Sequence, residues 1–478
     1  AGSILFLQPG TAYEVKLDLS DPDGGAKTET FTITTRPVPS LPAGGRTLHV
    51  APGAGGGKGS QDDPFKGLAA AQAEAKAGDI FLLRQGNYGA FKFDRPGETG
   101  RYVAWKAVGD GEAVFEHVEV AASHLWFEGL TFKRGENGNG LRATGAPADV
   151  VVSRNTFTGF HYSITLSNGS SDWHIADNVI VGDNDPSSGV ISGEGIELNH
   201  SSGHAVCYNR IARTADGVSY CHRNCDIYGN DILDVSDDGL EPDYGYANNR
   251  MWGNRLTNCH NAGLSFQPQY CGPWYFIRNQ FIGRGHAFKF RVQDRFLLVN
   301  NTFVKWGCMD GRMQHILTSL SRNNLYIALG NKDPVWIGFY HKVDAEQKYV
   351  LMRSFKPDWL TDVDYDGFDW GNAPNAFRWD DGKLTYYKGL AEFAEAVGIE
   401  KHGRRVRKEE IFEKWDIPDT LARVEPQVLT LKAGCNAIDA GDALPNVAED
   451  FVGKAPDLGA HEFGTPLPHY GPREKTAR

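Results

Sequence analysis

Asparagine recurs along the middle of the chain at 155, 178, 209, 230, 254, 279, 301 and 324, at intervals of 23, 31, 21, 24, 25, 22 and 23 residues. Three residues before most of these stands an apolar side chain: Val152, Ile175, Val206, Ile227, Met251, Phe276 and Leu298. Two residues after them stands another: Phe157, Ile180, Ile211, Ile232, Leu256, Phe281 and Phe303. A third column follows a glycine-rich turn: Ile164, Ile196, Val218, Leu240, Leu264 and Phe288. Coupled columns at a fixed period mark repeats that cannot bury their apolar faces alone and must stack. The pattern predicts an all-β fold, a right-handed parallel β-helix. Each coil of about 21–25 residues holds three short strands, and equivalent strands stack ~4.8 Å apart. The asparagines fall in a turn, where stacked amides can bond one another and the turn backbone.

The β-helix is expected to span residues 46–330. Asp63-Pro64 is expected to open a helix with Phe65, Leu68, Ala69 and Ala73 on one face, closing one end of the stack. Gly53–Ser60 imitates a phosphate-binding loop, but Gly59 separates Lys58 from Ser60, so nucleotide binding is not expected. Residues 1–37 read as two strands and a turn, 38–45 as a linker, and 331–478 as an extension that caps the other end, with a helix carrying Leu390, Phe393, Ala394 and Val397.

In its columns and spacing the 46–330 segment resembles the pectin-lyase-like superfamily, which includes secreted bacterial carbohydrate-active enzymes. Leu7, Pro9, Thr11, Tyr13 and Val15, in alternation, resemble the tyrosine corner of fibronectin type III domains, of which only a fragment would be present.

Strand side chains alternate in and out, so the strand after the glycine-rich turn presents two outward columns. One runs Thr165, Glu197, Ser219, Glu241, Ser265, Lys289; the next runs Ser167, Asn199, Cys221, Asp243, Gln267, Arg291. Asp216, Asp237, Asp238 and His286 stand in or beside the preceding turns. A polysaccharide lyase needs a base and something cationic against the uronate carboxylate. Lys289 is the expected base, its pKa lowered by Arg291. Arg291, or a Ca²⁺ held by Glu197, Asn199, Glu241 and Asp243, would neutralise the carboxylate. A glycoside hydrolase instead needs two carboxyl groups, for which Asp237, Asp238, Glu241 and Asp243 are available. His286 joins the catalytic candidates. Glu197, Asn199, Gln267, Trp252 and Tyr244 are expected to contact substrate, the last two as stacking platforms for sugar rings. The polygalacturonase pattern is only partly present, as Asp237-Asp238 and Gly285-His286. Lyase is the leading reading, then hydrolase, with uronan C5-epimerase and non-catalytic adhesin as further alternatives.

A net charge of −11 argues against nucleic acid as partner. No apolar run is long enough to span a membrane. A secreted or periplasmic monomer acting on a polysaccharide is expected, with Ca²⁺ as the one candidate cofactor and no organic cofactor. Of seven cysteines, six lie between 207 and 308, where adjacent coils could pair some of them as disulfides.

Overall fold

The computed structural model describes residues 2–136, 138–266, 271–290, 295–306, 319–330, 361–380 and 383–474. The three columns become three parallel stacks. Val206, Ile227, Met251 and Phe276 register with one another in a 14-stranded back sheet. Ile211, Ile232, Leu256 and Phe281 register in the flank that follows the asparagines. Ile196, Val218, Leu240 and Leu264 register in the third stack, hereafter the site sheet. All twelve side chains are buried in one continuous core. Aromatic rings extend the stacking, as in Phe81 on Trp105 at 4.3 Å and Phe132 on Phe157 at 4.2 Å.

The asparagines form an unbroken hydrogen-bonded ladder. In each, the backbone N–H and the side-chain Nδ2 donate to Oδ1 of the asparagine one coil on; for Asn230 to Asn254 the distances are 3.1 and 3.0 Å. Nδ2 also donates to a backbone carbonyl of the coil before, as Asn254 does to Ile227 at 2.9 Å. The residue before each rung is left-handed, from Arg154 (φ 56°) to Asn323 (φ 61°). Tyr365 (φ 62°) repeats this turn, and Asp366 takes the next rung, accepting from Asn324 N and Nδ2 at 2.7 and 3.0 Å. The stack therefore continues past 330: Thr361–Asp364 pairs with Ser319–Arg322, and Gly367–Asp369 pairs with Leu325–Leu329.

At the first end the helix is shorter than expected, Leu68–Ala73, because Phe65–Lys66 instead pairs as a strand with Val50–Ala51 and Gly67 (φ 101°) turns the chain. Leu68 and Ala71 still close the core. At the other end Phe393, on the helix Leu390–Val397, stacks on Phe377 at 4.5 Å. Ala12–Ser20 and Ala26–Thr34 form an antiparallel hairpin, and Tyr13 OH accepts a hydrogen bond from Gln8 N at 2.8 Å. Cys207, Cys221, Cys225, Cys259, Cys271 and Cys435 are free thiols; Cys308 lies outside the described residues.

One feature is not legible as a repeat. After Gly459 the chain turns back and runs along the outer corner beside the ladder. Ala460 N donates to Thr302 Oγ1 at 2.9 Å, Gly471 N to Gly229 O at 2.9 Å, and Arg473 grips both oxygens of Asp177 at 2.9 and 2.8 Å. The tail thus straps coils from Thr302 back to Asp177.

Candidate functional site

The expected outward column is present as a register on the site sheet: Thr165 pairs with Glu197, Glu197 with Ser219, Ser219 with Glu241, and Ser265 with Lys289. The second column is not a continuous outward row. Asn199 (φ 44°) and Tyr220 (φ 56°) are left-handed, which breaks the alternation at the strand ends and sends Cys221 into the core. Gln267 and Arg291 lie outside the described residues.

The acidic residues converge at the start of the site strands. Glu194, Asp216 and Asp238 are the first residues of Glu194–Glu197, Asp216–Ser219 and Asp238–Glu241. Glu194 registers with Asp216, and Asp238 N donates to Asp216 Oδ1 at 2.8 Å. Carboxylate oxygens of Glu194, Asp216 and Glu241 lie within 4.8 Å of one another, as do those of Asp216, Asp237 and Asp238. All five are buried. Oxygens of Glu194, Asp238 and Glu241 have no hydrogen-bond partner among the described residues. Burial first, and mutual repulsion second, push Glu241 well above the ordinary carboxyl range; Asp216 is raised by the same two causes, and burial leads the rise of Glu194 and Asp238.

Lys289 enters from two coils on. Its Nζ is 2.9 Å from Asp238 Oδ2, and the side chain is only 9% exposed, not solvated as expected. Its pKa departs from expectation as well. Burial alone would lower it, but Asp238, Asp237 and Glu241 outweigh burial and hold the ammonium above its usual value.

The remaining candidates are placed as follows. Asp243 is buried and accepts from Ser265 Oγ at 3.4 Å. His286 opens the strand His286–Phe290 and registers with Ala262, which itself registers with Asp238. Glu197 is partly buried, and burial raises its pKa. Asn199 Nδ2 donates to Leu166 O at 3.1 Å. Of the four expected calcium ligands, Glu241 alone belongs to a metal-capable cluster among the described residues. Tyr244 is exposed beyond the site strands, its ring 6.0 Å from that of His200. Trp252 stands instead on the back sheet, stacked on Tyr228 at 4.3 Å. Glu194 was not singled out from sequence, because it shares the parity of inward Ile196.

The long interval between Asn178 and Asn209 is spent on a loop over 183–193. Asn184 Nδ2 donates to Ser236 Oγ at 3.1 Å, Ser236 Oγ to Val190 O at 2.7 Å, and His260 Nδ1 meets Pro186 O at 3.2 Å. The loop walls the site on the side of Asp237 and leaves Ile191 73% exposed.

No protein-family model matches this chain, and neither does any curated protein sequence. Solved structures do. Pectate lyase Pel9A matches with a TM-score of 0.50 at 18% identity, over 88% of this chain and 97% of that one. This is the fold of the pectin-lyase-like β-helices. A rhamnogalacturonan lyase (TM-score 0.43, 13% identity, 67% and 87% covered) and an alginate lyase of family PL6 (0.41, 15%, 79% and 59%) are more distant.

The donor set is all hard oxygen, with unpartnered buried carboxylate oxygens, and so suits Ca²⁺. Two overlapping groups could hold a metal ion, Glu194, Asp216 and Glu241 or Asp216, Asp237 and Asp238.

Proposed function

We propose that this protein is a calcium-assisted polysaccharide lyase that cleaves a uronate-containing glycan by β-elimination along the site sheet. The observation that carries this reading is a lysine held 2.9 Å from a carboxylate at the edge of a buried acidic cluster. A bound Ca²⁺ would pair with the substrate carboxylate and so acidify the proton α to it. Lys289, held by Asp238, is the residue that would take that proton, and a cation on the cluster would weaken the field that keeps its amine protonated. Asp238 positions the Lys289 side chain, and Asp243 and His286 lie along the same sheet toward the substrate path. Glu197, Asn199 and Tyr244 line its continuation. Pel9A, by its name a pectate lyase with this fold, is in keeping with the reading. A secreted or periplasmic monomer, with residues 1–37 as a fibronectin-like fragment, belongs to the same proposal.

A hydrolase is the second reading, favoured by the closely set carboxyl groups with raised proton affinity, one of which could act as acid. The two separate on product and residue. Incubation with pectate, alginate and neutral glycans, with Ca²⁺ or chelator, should give ultraviolet-absorbing unsaturated ends from a uronan, lost with chelator. Lys289→Ala should lower kcat by roughly 10²–10⁴-fold. Reducing ends without that absorbance, or a Lys289→Ala variant with wild-type kcat, would overturn the lyase reading. A uronan altered in sugar configuration but not in length would indicate epimerisation.

A further inference from the structure

The outward row of the site sheet continues past Thr165 toward the first end of the solenoid. Thr165 registers with Arg142, Arg142 with Glu119, and Glu119 with Lys92. On its strand, Asn139–Ala143, Arg142 is exposed between buried Leu141 and Ala143, so it projects from the face that carries Glu197 and Glu241. By register it stands two coils from Glu197 and four from Glu241, which is about 10 and 19 Å along the axis at ~4.8 Å a coil.

Among the described residues Arg142 forms no ion pair, although a carboxylate stands next to it in register. Glu119 turns instead to Lys92, 4.0 Å away, and Thr165 on the other side is uncharged. At Glu197 burial raises the carboxyl pKa and the Arg142 charge opposes the rise, so the guanidinium acts along the groove floor toward the acidic cluster. Lys289, the cation at the other end of the row, is already held by Asp238.

An exposed guanidinium stays charged at any working pH and presents two parallel N–H donors, a fork that matches a carboxylate. A neutral glycan would take no more than a hydrogen bond from it. A polyuronate carries a carboxylate on every ring, and each ring of an extended strand advances the chain by roughly the height of one coil. A strand whose carboxylate meets a cation on the acidic cluster therefore brings another carboxylate to Arg142 four rings on, with Thr165 and Glu197 facing the hydroxyl groups between. We propose that Arg142 is a distal subsite of the groove, taking the carboxylate of a uronate residue about four rings from the one held at the acidic cluster. The inference rests on the reading of that cluster as the place where a uronan is held, and it sets the length of strand that fills the groove.

Binding is measured by calorimetry on the full chain carrying Lys289→Ala, with Ca²⁺, using trimers and hexamers of galacturonate and of mannuronate. A trimer held at the cluster stops short of Arg142, and a hexamer reaches it. Arg142→Gln, added to that chain, should weaken binding of the hexamer by about three- to tenfold and leave the trimer unchanged. Arg142→Lys should recover part of the loss, and high salt should shrink it. Because the side chain is exposed, the melting temperature should not move. The proposal is overturned if the hexamer binds the Arg142→Gln chain within about twofold of its parent, if trimer and hexamer weaken alike, or if neither hexamer binds the parent. Products of the unsubstituted protein are read separately. A length-dependent loss without unsaturated products keeps the subsite and sinks the lyase reading, whereas unsaturated products with no effect of Arg142→Gln do the reverse.

Discussion

The asparagine ladder makes a quantitative prediction at Asn254. Its Oδ1 accepts from Asn230 N and Nδ2, and its Nδ2 donates to Ile227 O and Asn279 Oδ1. Asn254→Leu keeps the branching but leaves the buried Asn230 N–H without its partner and strips one bond each from Asn230 Nδ2, Ile227 O and Asn279 Oδ1. At roughly 1–3 kcal/mol for each buried group left unsatisfied, the loss should be about 3–6 kcal/mol, a large part of the stability of a folded domain. Asn254→Asp should fare no better, since it keeps the acceptor but loses the donor and buries a charge. Urea unfolding followed by circular dichroism, with Asn279→Leu and the double variant completing a cycle, measures both the loss and the coupling. Because the two side chains share a bond, the double variant should cost less than the sum of the singles. A single variant within about 1 kcal/mol of wild type, or strict additivity, would refute the ladder as a cooperative element.

Three further outcomes are expected. Ca²⁺ should raise the melting temperature of the wild type, and an Asp216→Asn/Glu241→Gln double variant should lose that response in a thermal-shift titration. At the end of the ladder, burial raises Asp366 to about 6 and also raises its neighbour Glu400. Both bind protons more tightly folded than unfolded, so stability should fall as pH rises from about 4 through 6, by on the order of 2–3 kcal/mol for Asp366 alone. Asp366→Asn should flatten that slope in melts recorded across pH. Deleting residues 460–474 should lower the melting temperature and expose the 177–302 coils to protease first, which limited proteolysis with mass spectrometry would locate.

The fold was legible because its spacing is enforced by hydrogen bonding: an inner rung without an asparagine amide leaves buried polar groups unpaired. The last rung was not legible, because the terminal position needs only an acceptor, and Asp366 supplies it after a 42-residue interval. Within the site, Glu197, Glu241 and Lys289 followed from strict alternation. Glu194 did not, because it stands where the chain rounds a corner and parity no longer tells inside from outside. The same failure at Tyr220, a left-handed residue, misplaced Cys221. Trp252 was assigned to the groove because it follows a site strand closely in sequence, yet the turn between carries it to the back sheet. The tail's course along the corner has no periodic signal, since its contacts with Asp177, Gly229 and Thr302 are each of a different kind.

That tail bears on the order in which the protein is made. A solenoid can add coils one by one as it leaves the ribosome, each held only by the neighbour before it. Arg473, which holds Asp177, follows it by 296 residues. Coils completed early therefore wait, laterally unsecured, until the strap over 460–474 has followed them out. A chain broken off before residue 460 would carry every coil and most of the core, yet lack the tie that joins its later coils to its earlier ones.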